Sequence, residues 1–112
     1  MSDERFERLV GDALDSIPDA LFERIDNVVV LIEPHNPEEP GLLGLYQGVA
    51  LTERDSYYAG SLPDTITVYR DAILEICETD DEVVHEVAVT VIHEVAHYFG
   101  IDEARLHQLG WG

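Results

Sequence analysis

The chain contains no lysine. Its six basic residues are all arginine, against 24 aspartates and glutamates, and the formal net charge is −18 over 112 residues. A surface this acidic repels phosphate backbones, which excludes nucleic-acid binding through a basic patch and makes anionic membranes poor partners. Cations and basic peptides are attracted to it. The acidity alone speaks to solubility and not to fold. Cysteine is equally scarce: Cys77 stands alone. No internal disulfide, cysteine zinc cluster or CxxC redox pair can therefore form. Cys77 ends the apolar run Ala72–Cys77, which predicts a buried, inert thiol. No stretch approaches the roughly 18 apolar residues of a membrane span. The charged start, Met1–Arg8, lacks the apolar core of a signal peptide, so a cytoplasmic location is expected.

Hydrophobic residues make up 46% of the chain and charged residues 27%. These are globular proportions, and the length suits one domain over residues 1–112. Ser2-Asp3-Glu4 reads as a helix start, a cap residue followed by acids. Phe6, Leu9, Val10, Ala13, Leu14 and Ile17 recur at helical spacing until Pro18 interrupts. A short helical piece is expected from Asp19 to Arg24. The β-branched run Asn27–Glu33 predicts a buried strand. Three prolines between Pro34 and Pro40 make a loop. Leu42–Leu51, with Gly44 and Gly48, predicts an edge strand in which glycine permits close backbone approach. A loop over 52–63 precedes the alternating strand Thr65–Tyr69, and Asp71–Glu78 reads as helix. Asp80-Asp81-Glu82 opens a helix to Phe99 that is apolar on most sides, and Gly100 stops it. A last helix spans about Asp102–Leu109. This order predicts an α+β fold: a small mixed sheet of three or four strands packed against the long helix and the N-terminal helix.

The long helix carries His93-Glu94-Val95-Ala96-His97. Residues four apart lie on one helix face, about 6 Å apart along the axis, so both imidazoles can reach one zinc ion. Glu94, beside the first histidine, can take a proton from water on that metal. A buried helix bearing Glu and two His needs charge compensation, and a metal supplies it. The competing reading is a histidine pair favoured by the dipole at the helix C-terminus. His85, about 12 Å along the axis from His93, is too far to share the ion and reads as a surface residue or an intrahelix partner. His35 reads as an exposed loop residue. Tyr46, Tyr57, Tyr58, Tyr69 and Tyr98 invite a role at an oxyanion; Tyr57 and Tyr58, near Arg54, could line a substrate cleft. The commoner role of each is a half-buried aromatic at the rim. Trp111 is expected to pack over the last helix.

The extended segment His93-Glu94-x-x-His97-x-x-Gly100-x-x-Glu103 resembles the metzincin-type HExxHxxGxxH signature, with Glu in place of the third His. Leu62–Arg70, the valine-rich helix, Gly100–Gly110 and the strand Gly41–Gly48 extend the likeness. Over residues 25–112 the chain is similar to the small bacterial zincin-like metallopeptidases, or minimal zincins. Met1 is the only methionine, so the methionine turn of metzincins is missing. The resemblance implies a minimal zincin-like fold, a zinc cofactor on His93, His97 and Glu103, and Glu94 as catalytic base. Asp102, His107 or water stand as alternatives to Glu103. It further implies hydrolysis of a peptide or protein substrate lying extended along the edge strand Leu42–Leu51. The alternative is a metal-stabilised binding or regulatory domain with little hydrolytic activity. Nothing in the sequence specifies the oligomeric state.

Overall fold

A computed structural model describes residues 1–48 and 63–108. Arg54, Tyr57, Tyr58, Trp111, and the far ends of the predicted strand Leu42–Leu51 and of the last predicted helix lie outside the described residues.

Helix α1 (Asp3–Asp15) is capped by Ser2, whose side chain accepts the Arg5 N–H at 3.2 Å. Its acidic first turn complements the helix dipole. Phe6, Val10 and Ala13 form its buried stripe. Pro18 caps the single-turn helix α2 (Asp19–Phe22). Three strands follow: β1 (Val28–Glu33), β2 (Gly44–Gln47) and β3 (Asp64–Tyr69). They form a mixed sheet in the order β1-β3-β2. β1 runs parallel to β3, pairing Val28 with Asp64 through Glu33 with Tyr69. β2 runs antiparallel to β3, pairing Gly44 with Val68 through Gln47 with Thr65. β3 leads directly into α3 (Arg70–Ile76), then α4 (Asp80–Tyr98) and α5 (Glu103–Gln108). The architecture is a small mixed sheet with helices, as the element order predicted.

α4 is the centre of the packing. Thr79 accepts the Glu82 N–H at 3.2 Å, and the Glu82 carboxylate accepts the Glu78 N–H at 2.9 Å. This is a close variant of the capping box and fixes where the helix begins. Val83, Val87, Val91 and Val95, each four residues apart, join Phe6 and Val10 of α1 and Ile66 and Val68 of β3 in one core. Each such side chain contributes roughly 1.5–3 kcal/mol by leaving water. A second stripe, Thr90, Glu94 and Tyr98, is also buried. Gly44 and Tyr46 of β2 meet this stripe, Gly44 at Thr90 and Tyr46 edge-on to the Tyr98 ring at 6.1 Å. Among the described residues no helix is long and apolar enough to cross a membrane.

Three local expectations need correction. β1 is not buried on both sides: Val29 and Leu31 are 41% and 42% exposed. It lies at the sheet edge, and its side chains alternate between half-buried and exposed. The strand expected over Leu42–Leu51 begins only at Gly44 and ends at Gln47. Cys77 is half-buried rather than buried. It follows the last residue of α3 in extended conformation and packs at the margin of the core that holds Ile73.

Candidate metal centre

The end of α4 builds the site. Gly100, with φ at 85°, adopts the left-handed conformation that glycine enters without a Cβ penalty. The Gly100 N–H donates to the His97 carbonyl at 2.9 Å and the Ile101 N–H to the Ala96 carbonyl at 3.0 Å. This paired pattern is a Schellman motif; it satisfies two end carbonyls and reverses the chain. Asp102 then caps α5, its side chain accepting the Arg105 N–H at 2.8 Å. The reversal brings Glu103 back over the last turns of α4.

There His93, His97 and Glu103 converge. The Nε2 atoms of His93 and His97 lie 2.6 and 2.8 Å from the same Glu103 oxygen, Oε1. The two rings stand edge to face, with centroids 4.8 Å apart. The three donor atoms all fall within 4.8 Å of one another. Hydrogen bonding from His93, then from His97, holds the Glu103 carboxyl below its ordinary range, against partial desolvation. His97 Nδ1 faces the Ile101 carbonyl at 2.9 Å. An N–H donated there leaves Nε2 as the coordinating atom, the usual arrangement for a metal-ligating histidine. Two imidazoles and a carboxylate are a donor set that zinc accepts, so the residues present fit a metal ion. Of the alternatives to Glu103, Asp102 is engaged at the helix cap and His107 is exposed and outside the cluster.

Glu94 sits one residue from His93 but on the buried stripe of α4, and only 7% of it is exposed. Burial raises its pKa; the positive charge of His97 and His93 and a hydrogen bond from the Tyr46 backbone N–H oppose this, and Glu103 adds to it. The result is a carboxyl above its ordinary range, a stronger proton acceptor than a solvated glutamate. Gly44 makes its position possible. A Cβ there would lie 2.6 Å from Thr90 Cγ2 and 3.2 Å from Glu94 Cγ. A side chain at that point would separate β2 from α4. A cleft of about 280 Å³ opens beside Glu94, between Gly41–Gly44 and α4.

The hydroxyls of the described tyrosines are occupied elsewhere. Tyr46 donates to Asp64 at 2.7 Å, Tyr98 accepts the Asp26 N–H at 3.1 Å, and Tyr69 accepts from Asn36 at 2.9 Å. His85 is exposed, as expected, whereas His35 is half-buried and pairs with Glu75 at 2.7 Å. Sequence reasoning missed Ile101 as the partner of His97 and the Tyr46 backbone as the partner of Glu94. A main-chain donor leaves no mark in residue identity; only Gly44, read as a point of close approach, hinted at the contact.

Comparison with known proteins agrees with this picture. A family model described as zincin-like metallopeptidase matches residues 25–111. A solved structure, a conserved hypothetical protein from Thermus thermophilus, superposes with a TM-score of 0.62, covering 97% of each chain at 23% identity. That likeness shows a shared fold. No curated protein matches the chain in sequence. The family match spans the sheet, the helix with its two histidines, and the Gly100 turn that returns Glu103 to them, and on it the chain belongs to the zincin-like metallopeptidase family.

Proposed function

We propose that the protein is a zinc-dependent peptidase in which His93, His97 and Glu103 hold the metal and Glu94 is the catalytic base. The observation that carries this reading is the pairing of two environments within one helical turn. Two imidazole nitrogens converge on a carboxylate at the surface, while the adjacent Glu94 is sheltered and has a raised pKa. A purely structural metal site has no use for such a base. Zinc bound there would supply Lewis acidity, polarising a carbonyl and easing deprotonation of water.

The rest falls to the chain's own residues. Glu94 accepts the proton of the attacking water and returns it to the leaving amine. The Tyr46 N–H holds the carboxylate in place between β2 and α4. Among the described residues β2 is an edge strand, the position at which an extended peptide adds to a sheet. Glu103 brings the charge of the zinc site from plus two to plus one, and its fixed position lowers the cost of gathering the ligands.

The test is elemental analysis of the purified protein, paired with peptide-library cleavage by the wild type and Glu94→Gln. One zinc per chain and cleavage lost in Glu94→Gln support the reading. A metal-loaded wild type that cleaves nothing favours a metal-stabilised binding domain instead.

A further inference from the structure

The cleft beside Glu94 has a chemically distinct far end. His93 and Glu94 line it together with Glu86, and Leu42 and Val89 add apolar surface. Glu86, Thr90 and His93 follow one another at helical spacing along α4. Glu86 therefore lies two turns, about 10 Å, from His93 along the axis. Among the described residues no basic group is paired with Glu86. Beyond it, a second cleft is lined by Asp81, Glu82 and His85, so the negative charge continues toward the start of α4.

We propose that this cleft receives a lysine or arginine side chain of the substrate, with Glu86 binding its cationic head; the assignment rests on the peptidase reading above. An apolar wall ending in a carboxylate matches a side chain with an aliphatic stem and a charged tip. The distances agree. A residue adjoining the scissile bond stands about 3.3 Å along an extended chain, and a basic side chain of four or more bonds spans most of the remainder to Glu86. Chain direction fixes the side. The lining residues Gly41–Gly44 are at the N-terminal end of β2. A peptide pairing antiparallel to β2 places there the residue that follows the scissile bond. Cleavage thus occurs on the N-terminal side of a basic residue.

The test uses full-length zinc-loaded protein and three otherwise identical fluorescent peptides carrying Arg, norleucine or Glu at one position. Norleucine keeps the stem and removes the charge. Cleavage sites are read by mass spectrometry at about 150 mM salt, where exposed charges are screened beyond about 8 Å. Binding of the same peptides is measured by anisotropy on Glu94→Gln, which holds substrate uncleaved. The Arg peptide is expected to be cut before Arg and to bind about tenfold more tightly than the norleucine peptide. Glu86→Gln should remove that ratio, and Glu86→Lys should transfer the preference to the Glu peptide. Glu7→Gln, which deletes the same charge from the exposed side of α1, should leave the ratio intact. Equal binding of Arg and norleucine peptides overturns the assignment, as does a ratio that Glu7→Gln lowers as much as Glu86→Gln. Cleavage without a basic preference overturns it while sparing the peptidase reading. Glu86-dependent binding without cleavage keeps the assignment and sinks the peptidase reading.

Discussion

His97 Nδ1 faces the carbonyl of Ile101 at 2.9 Å, so the turn that ends α4 also orients one imidazole of the candidate metal centre. Helix termination and ligand placement are one local event. The Ile101 N–H closes the Schellman motif on Ala96 while its carbonyl faces His97 Nδ1.

The ligand set is testable by zinc titration. Glu103→Ala should weaken zinc affinity at least about tenfold, and Glu103→His should largely restore it, because either side chain offers a donor from the same turn. His97→Ala should abolish stoichiometric zinc. Asp102→Ala and His107→Ala should change affinity little. Metal lost in either of these while Glu103→Ala retains it would assign the third ligand elsewhere.

Gly44 is where β2 touches α4. Gly44→Ala should destabilise the fold by about 1–3 kcal/mol, the usual range for overpacking, since its Cβ would press on Thr90 Cγ2. Thr90→Ser deletes that methyl and keeps the hydroxyl. In denaturant melts the double variant should recover part of the loss; simple additivity of the two changes would show that the contact does not carry the cost.

Glu94 links the site to stability. Its pKa is raised in the folded protein, so the native state binds this proton more tightly than the unfolded state. The resulting stabilisation is complete below the unfolded pKa and fades as pH rises through the folded one. In metal-free protein, Glu94→Gln should therefore raise Tm at about pH 8 by more than at about pH 4. Glu7→Gln supplies the baseline for removing one negative charge. Equal shifts for the two variants at the higher pH would show that burial of Glu94 carries no cost.

Cys77 should be a slow nucleophile. Burial, then the carboxylates of Glu86 and Glu82, push its thiol up. Because the thiolate is the reactive form, the pH–rate midpoint for iodoacetamide alkylation should lie above that of free cysteine. Glu86→Gln should lower it. A midpoint at or below the free value would contradict this placement.

Much of this arrangement is legible in the sequence because it is local. Asp80-Asp81-Glu82 marks the start of α4, Gly100 marks its end, and the spacing of His93 and His97 places both on one face. Glu103 is readable through the turn that Gly100 permits. What the sequence hides is set by distant neighbours. Asn27–Glu33 is equally apolar whether one face of β1 is covered or two, so the exposure of Val29 and Leu31 depends on what packs against the sheet. Glu86 looks like any solvated acid on a helix until β2 is laid beside it. Cys77 shares an apolar run with Ala72 and Ile73 but falls just past the helix end.

The place of β1 at the edge of the sheet, among the described residues, has a colloidal consequence. A strand with exposed Val29 and Leu31 at the margin of its sheet is a template for pairing with another copy. At neutral pH each molecule carries a charge of −18, and mutual repulsion keeps such edges apart. The sequence isoelectric point is about 4.2. As pH falls toward that value the repulsion vanishes while the edge remains, so light scattering should rise steeply there. Val29→Pro or Leu31→Lys should suppress it.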